Sequence, residues 1–157
     1  VDKVSHRFPD LDDAVLATRE AKAKGADDAL FLNTAGRLAS TALANVFVAD
    51  GHRLLTPRRS DGVLPGIMRQ WLIDAAPAVG LVVEETEITP QAARGRAMIA
   101  TNSLRLIAPV PRLDGDAMPQ FLAARSLAAL LCEAIAAECG RDPRDAGASL
   151  ADLALPA

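Results

Sequence analysis

The chain has 157 residues, half of them hydrophobic, and a formal charge of −3. This length and apolar content suffice for one domain with a hydrophobic core. The slight acidity, the scattered basic residues and an aromatic content of 3% disfavour nucleic-acid binding. No signal peptide or membrane-spanning segment is recognisable, so we expect a cytoplasmic protein that acts on a small molecule rather than a membrane.

The predicted elements of the first half follow from charge order and turn residues. Aspartates before an apolar run and lysines before Gly25 predict a helix over 11–24. The run ALFLN predicts a strand over 29–33. Residues 44–56 predict a β-hairpin, because Asp50-Gly51 supplies the positive φ that a tight turn needs.

The second half begins with a predicted helix from Pro65 to about Gly80, which Pro77 kinks or ends early. The later predicted elements are strands over 81–88, 97–104 and 106–110, a short helix capped by Thr89-Pro90, and a long helix over 119–139. Helices alternating with strands favour an α/β or α+β domain around a mixed sheet over residues 1–140. Residues 141–157 are predicted to form a C-terminal tail.

Two cysteines lie on the predicted last helix. Cys132 and Cys139 are seven residues apart, which places them on one face but too far apart for a disulfide. We therefore expect both to be small core residues of a reduced protein.

Three short segments are rich in backbone donors and hydroxyl groups and poor in charge: 40–45, 64–69 and 101–104. Pro65 is expected to open a helix, and Gly66 permits a close approach to the backbone. The next amides, of Ile67 and Met68, then lie at the positive end of that helix, where phosphates and carboxylates bind. A plain helix start explains Pro65 and Gly66 equally well. The three segments together suit a phosphate dianion better.

The stretch GADDALFLNTAGRLASTALANVFVADGHRLLTPRRSDGVLPGIMRQ and the stretch ATNSLRLIAPV resemble the class IV aminotransferase superfamily. These are the fold-type IV pyridoxal-phosphate enzymes, and the resemblance covers residues 11–113, in their large C-terminal domain. The sequence TNSL at 101–104, with Ile107 and Pro109-Val110, looks most like the 4-amino-4-deoxychorismate lyases. Branched-chain and D-amino-acid aminotransferases are the alternatives within the superfamily.

The resemblance implies a set of cofactor-binding residues. Ile67 and Met68 would donate backbone N–H groups to the phosphate, and Ser103 would add a hydroxyl. Asn45 and Asn102 belong to the same matching turns and are assigned to the cofactor with them. Met68 stands where many members have threonine, so Met68→Thr is predicted to tighten cofactor binding.

The chain departs from the family pattern at two functional positions. The lysine that bonds the cofactor covalently is replaced by Arg7 on lyase spacing, or by His6 on branched-chain spacing. Arginine keeps its proton at ordinary pH, which leaves Lys3 as the nearest primary amine and a candidate catalytic residue. Ser40 stands where relatives usually carry the glutamate that pairs with the pyridine nitrogen, so the electron sink is expected to be poorer.

Three functions stay open from the sequence. In the first, the chain is a lyase or transaminase domain that lacks its small N-terminal domain, and Val1 marks a boundary. Arg105 is then a candidate to bind a substrate carboxylate. In the second, the chain is a divergent member of the superfamily that binds the cofactor or another anion and has lost catalysis. The third function is an oligomer interface on the apolar face of the last helix, formed by Leu127, Leu130, Leu131, Ala134 and Ile135. The resemblance implies a homodimer, and no cluster has metal-ligand spacing.

Overall fold

The computed structural model describes residues 4–5 and 11–146. The strands are β1 Val4–Ser5, β2 Leu30–Leu32, β3 Leu38–Thr41, β4 Asn45–Asp50, β5 Arg53–Pro57, β6 Val82–Thr86, β7 Met98–Asn102, β8 Leu106–Pro109, β9 Arg112–Leu113 and β10 Asp116–Ala117. The helices are α1 Leu11–Ala23, α2 Ile67–Ala75, α3 Pro90–Ala93 and α4 Ala123–Cys139, with 3-10 turns at Arg59–Asp61, Ala76–Val79 and Pro143–Ala146.

A mixed sheet organises the described part of the chain, with strands in the order β6-β5-β4-β7-β8. Strands β5 and β6 are parallel, and the other neighbours are antiparallel. Helix α2 lies in the connection between the two parallel strands. Strands β1, β2 and β3 form a second sheet, and β9 pairs with β10. The predicted mixed sheet with flanking helices is confirmed.

The alternation of side chains along β4 divides the core into two layers. Phe47 and Ile99 face one side, where α2 and α4 cover the sheet. Val46 and Val48 face the other side, towards β2 and β3. Strand β4 is therefore buried on both faces over most of its length, which explains its nearly continuous apolar sequence.

The predicted hairpin is confirmed, since β4 and β5 pair around Gly51, which has a φ of 63°. The prediction that Pro77 kinks or ends this helix early is also confirmed, because α2 stops at Ala75 and a 3-10 turn that contains Pro77 follows. The prediction that Pro65 opens α2 is wrong. The helix begins at Ile67, and Gly66 is its N-cap with an extended ψ of 139°.

Strand β3 is absent from the sequence predictions, which treat residues 40–45 as a turn. Three of its four residues pair with β2 across a register shift, and Ser40 lies opposite Phe31. The two-residue strands β9 and β10 are likewise unpredicted. Segments this short carry too little periodicity to be recognised, and pairing with a neighbouring strand forms them.

Helix α4 turns its apolar face inward. Leu127 and Leu131 are buried in the core, and Ile135 packs against it. The predicted oligomer interface on this face is therefore wrong for these residues, because the sheet and α2 already cover them. Among the described residues, no helix is long and apolar enough to cross a membrane.

The two cysteines of α4 differ in environment, which corrects the prediction that both lie in the core. Cys132 is buried, whereas Cys139 is exposed because the helix extends past the core before it ends. Both thiols are free, as the predicted spacing requires. Burial raises the pKa of the Cys132 thiol above its usual value.

Candidate phosphate-binding site

The three donor-rich segments meet at one end of the five-stranded sheet. Asn45 begins β4 and lies opposite Thr101 on β7. The Asn45 side-chain amide donates to the carbonyl of Leu64 at 3.0 Å, which ties the first segment to the second. The Asn102 amide donates to the carbonyl of Leu43 at 3.1 Å, which ties the third segment to the first. We call the resulting group the cradle; it comprises residues 40–45, residues 64–68 (the second segment without the charged Arg69) and residues 101–104.

Gly66 is required by a protein contact. A Cβ placed on Gly66 would overlap Oδ1 of the buried Asn45 side chain. The close approach that the sequence predicted is therefore made by Asn45. The Gly66 N–H donates to the carbonyl of Leu64 at 2.8 Å, so the chain turns tightly just before α2 starts.

Asn102 fixes the turn between β7 and β8. Its Oδ1 accepts the backbone N–H groups of Leu104 at 3.0 Å and of Arg105 at 2.7 Å. The side chains of Asn45 and Asn102 thus hold the backbone of the cradle in place. Their assignment as cofactor-binding residues stays a prediction, and their contacts suit a positioning role.

The first turn of α2 supplies the clearest set of donors. The N-cap Gly66 provides no side-chain hydrogen bond to the amides that follow it, and within residues 4–5 and 11–146 no other side chain caps them. Ile67 is 80% exposed, whereas the Met68 side chain is buried against the core. Met68 can therefore offer its backbone N–H to a ligand. Threonine at position 68 would exchange core packing for a hydroxyl, which works against the predicted gain from Met68→Thr.

Thr101 is a site residue that the sequence analysis missed. Its side chain is 1% exposed, and its hydroxyl has no hydrogen-bond partner among the described residues. Thr101 and Ile99 face the same side of β7, and Ile99 packs in the layer that contains α2. The period-two alternation of β7 was the signal that could have identified it. An unpaired buried hydroxyl costs free energy that an anionic ligand would recover.

The remaining predicted residues are dispersed. Ser103 is exposed on the β7–β8 turn, and Ser40 is half-buried on β3. Lys3, His6 and Arg7 lie outside the described residues, so their part in the site stays a prediction.

The other two lysines are at the far end of α1 from the lysine position of the family. Lys24 lies 3.0 Å from Glu20, and Lys22 is in the last turn of the helix. Within the described chain, the cradle therefore contains no primary amine. The residues fit a phosphate group, while a covalent tether has to come from elsewhere.

The mouth of the cradle is apolar. Four large hydrophobic side chains are exposed on its three segments: Leu43, Leu64, Ile67 and Leu104. Beside it, a cleft of about 490 Å³ is lined by Arg59, Ile67 and Arg69 among others. Arg69 is buried and engaged, since it donates to the Pro57 carbonyl at 3.0 Å and pairs with Glu85. Exposed apolar rims of this kind commonly border ligand sites.

The sequence model of class IV aminotransferases matches residues 4–113. The chain therefore belongs to the class IV aminotransferase family, and the resemblance found in the sequence is confirmed. Pyridoxal phosphate is the cofactor of this family.

Two solved structures illustrate the fold. A Legionella pneumophila protein described as a 4-amino-4-deoxychorismate lyase is 32% identical, with a TM-score of 0.77 over 85% of this chain and 55% of that one. A Brucella abortus aminotransferase bound to PLP is 30% identical, with a TM-score of 0.74 over 78% of this chain and 44% of that one.

The curated relatives point to a second branch of the family. A Rickettsia felis protein named as a branched-chain-amino-acid aminotransferase is 40% identical over 75 residues, which are 48% of this chain and 26% of that protein. The chain thus spans about a quarter of this curated relative.

Proposed function

We propose that this chain binds pyridoxal phosphate and belongs to a lyase of the 4-amino-4-deoxychorismate type. The observation that carries the proposal is the meeting of three uncharged, donor-rich segments at one end of the sheet, tied by Asn45 and Asn102. The TNSL segment at the end of β7 and in the following turn favours the lyase branch, as does the similarity to the Legionella pneumophila structure.

In this proposal the phosphate receives hydrogen bonds from the backbone N–H groups of Ile67 and Met68. The Ser103 hydroxyl adds one more bond, and the buried Thr101 hydroxyl gains the partner that it lacks. Many neutral donors hold a dianion without introducing a competing charge. The exposed apolar side chains at the mouth limit access of water to the bound group.

Bound pyridoxal phosphate withdraws electrons from the carbon next to the substrate amine. Ser40 would offer the ring nitrogen a neutral hydrogen bond, which stabilises its protonated form less than a carboxylate does. Arg7 keeps its own proton and cannot take over the covalent role of lysine. Lys3 is therefore the residue proposed to bond the cofactor covalently. If Lys3 does not form this bond, the chain binds the cofactor reversibly.

The test combines binding, trapping and turnover. The protein is titrated with pyridoxal phosphate while cofactor absorbance and melting temperature are followed, and is then reduced with borohydride and mapped by mass spectrometry. We expect saturable binding and a label on Lys3, with Lys3→Met abolishing the label. Saturable binding without a borohydride-fixed label on any residue would show that pyridoxal phosphate binds without a covalent bond. Absence of binding would overturn the proposal.

Turnover distinguishes the lyase from its main alternative. With 4-amino-4-deoxychorismate, a lyase releases pyruvate, which lactate dehydrogenase detects. The identity to the Rickettsia felis protein favours a branched-chain aminotransferase as the second candidate. That activity would instead convert leucine and 2-oxoglutarate to 4-methyl-2-oxopentanoate and glutamate, without forming pyruvate. The absence of both products from a protein that binds the cofactor would support a divergent, non-catalytic member.

The family resemblance also motivates the proposals of a homodimer and of a cytoplasmic location. Sedimentation velocity of the purified chain tests the first, with a single species of twice the chain mass expected. Fractionation of cells that express the full gene tests the second.

A further inference from the structure

Helix α2 carries a positive charge at the end where a helix is least stabilised by one. The amides of a helix N-terminus are partially positive, so acidic side chains stabilise the first turn and basic side chains the last. Helix α1 follows this rule, with Asp12 and Asp13 in its first turn and Lys22 in its last. Helix α2 has no acidic residue in its first turn and has Arg69 there instead. The charge of Arg69 therefore adds to the positive end of α2 at a cost in helix stability.

Burial keeps water from screening the charge of Arg69. Its side chain is 3% exposed. Arg125 is likewise the third residue of its helix, α4, but its side chain is exposed. Charges interact over longer distances where solvent is excluded, because the effective dielectric constant is lower there. The two arginines thus occupy equivalent helix positions, and Arg69 alone of the two is removed from water.

The compensation of the Arg69 charge is incomplete. Its Nη2 donates to the carbonyl of Pro57 at 3.0 Å and pairs with Glu85. Its Nε is buried and has no hydrogen-bond partner among the described residues. The Glu85 side chain is 46% exposed on β6, at the edge of the sheet, so water solvates part of the balancing charge. A buried cation paired with a solvated anion leaves a net positive potential inside the protein.

This charge lies next to the amides that the cradle offers to a phosphate. Arg69 directly follows Ile67 and Met68 along α2, where each residue advances the helix by about 1.5 Å. A Cβ placed on Gly66 would lie 3.7 Å from Cβ of Arg69, so the side chain leaves the helix beside its first amides. A charge strengthens anion binding without touching the anion, since the screening length in 0.1 M salt is about 10 Å.

We propose that the buried charge of Arg69 strengthens the binding of a phosphate dianion by the cradle without contacting it, and that Glu85 reduces this effect. The inference rests on the proposed function, because it requires an anion at the start of α2. A purely structural role for the pair, which fastens α2 to the sheet, makes a different prediction. Loss of either partner would then weaken binding, whereas an electrostatic role gives Arg69 and Glu85 opposite signs.

The test uses two pairs of variants of the full chain, each pair matched in net charge. Glu85→Gln is compared with Glu84→Gln, since Glu84 is equally exposed on the same strand and pairs with Arg53 instead. Arg69→Gln is compared with Arg125→Gln. The affinity for inorganic phosphate is measured by calorimetry, and the melting temperature is recorded with and without phosphate.

We expect Glu85→Gln to lower the melting temperature without phosphate, because Arg69 loses its ion-pair partner. The same variant should bind phosphate several-fold more tightly, and Arg69→Gln several-fold more weakly. Glu84→Gln and Arg125→Gln should leave the affinity unchanged. If Arg69→Gln does not fold, the comparison of Glu85→Gln with Glu84→Gln decides alone.

Two kinds of failure are distinguishable. Unchanged or weaker phosphate binding by Glu85→Gln, or equal gains in Glu85→Gln and Glu84→Gln, would overturn the inference and leave the proposed function standing. Failure of the unchanged chain to bind phosphate would overturn the proposed function and the inference together.

Discussion

Two groups of loops in this protein are held in place by opposite kinds of chemistry. The cradle is fixed by the neutral amides of Asn45 and Asn102. The β2–β3 hairpin is instead fixed by a charge, because the buried Asp61 carboxylate accepts from Arg37 at 2.9 Å and from Asn33 at 3.0 Å. We call this second group, held together by the contacts of Asn33 and Arg37 with Asp61, the clasp.

The comparison shows how a loop cluster can be rigid and still have capacity for a ligand. In the clasp, Oδ1 of Asp61 accepts both contacts, and the cation and anion compensate each other. In the cradle, the asparagines bond to backbone groups, which leaves the amides at the start of α2 without a capping side chain. Neutral positioning residues keep the site able to accept a dianion. The clasp is therefore expected to affect stability alone, and the cradle to affect anion binding as well.

The largest expected effect is the loss of the clasp. Arg37→Met leaves the Asp61 carboxylate buried with only Asn33 as a side-chain donor among the described residues. We expect a loss of about 3–5 kcal/mol in the free energy of unfolding, measured by urea denaturation. Arg53→Met is the control, since the Arg53 pairs with Asp50 and Glu84 are exposed and worth about 1 kcal/mol or less. A change in pyridoxal-phosphate affinity in folded Arg37→Met would contradict the division between clasp and cradle.

The second prediction concerns the contact between Gly66 and Asn45. Gly66→Ala places a Cβ against Oδ1 of Asn45 and should cost about 1–3 kcal/mol of stability together with cofactor affinity. Asn45→Ala removes the obstructing atom, so the double variant should lose less than the sum of the two single variants. Urea denaturation and pyridoxal-phosphate titration of all four proteins measure this coupling. Additive losses would show that the two residues do not restrict each other.

Thr101 should influence stability and affinity in opposite directions. Thr101→Val removes a buried hydroxyl that has no partner among the described residues, so stability without cofactor should stay equal or rise by about 1 kcal/mol. Pyridoxal-phosphate affinity should fall several-fold, because one donor to the phosphate is lost. Thr56→Val is the matched control, since the buried Thr56 hydroxyl donates to the carbonyl of Val46 at 2.9 Å. It should lose about 1 kcal/mol of stability and leave affinity unchanged.

The smallest effect is expected from the cysteines, which lie outside both loop groups. Burial raises the pKa of Cys132 in the folded state, so the folded chain releases this proton at higher pH than the unfolded chain. The stability that Cys132 contributes is thus fully present below the ordinary thiol pKa and declines as the pH rises above it. Cys132→Ala should flatten this alkaline decline in urea titrations, whereas Cys139→Ala should not. At neutral pH an alkylating reagent should modify the exposed Cys139 first.

Much of the fold could be predicted because its signals are local. The order of charges along α1, the Asp50-Gly51 turn and the helix-ending Pro77 each act within a few residues. The short strand β3 could not be predicted, because pairing with β2 forms it.

The sequence predicts the three segments of the site, but it does not predict the contacts that join them. Asn45 contacts a glycine that lies 21 positions away, and no local pattern reports such a contact. The inward direction of the Met68 side chain likewise follows from the packing of α2 against the core.

The central claim is that the cradle holds a phosphate group through backbone donors at the start of α2 and through the Ser103 hydroxyl on the β7–β8 turn. Amide chemical shifts of the isotopically labelled chain, followed during titration with inorganic phosphate, test it directly. The largest saturable changes should fall on Ile67, Met68 and Ser103, and Gly66→Ala should weaken them. Changes centred on Arg59 or Arg105 instead, or no saturable change at all, would contradict the account.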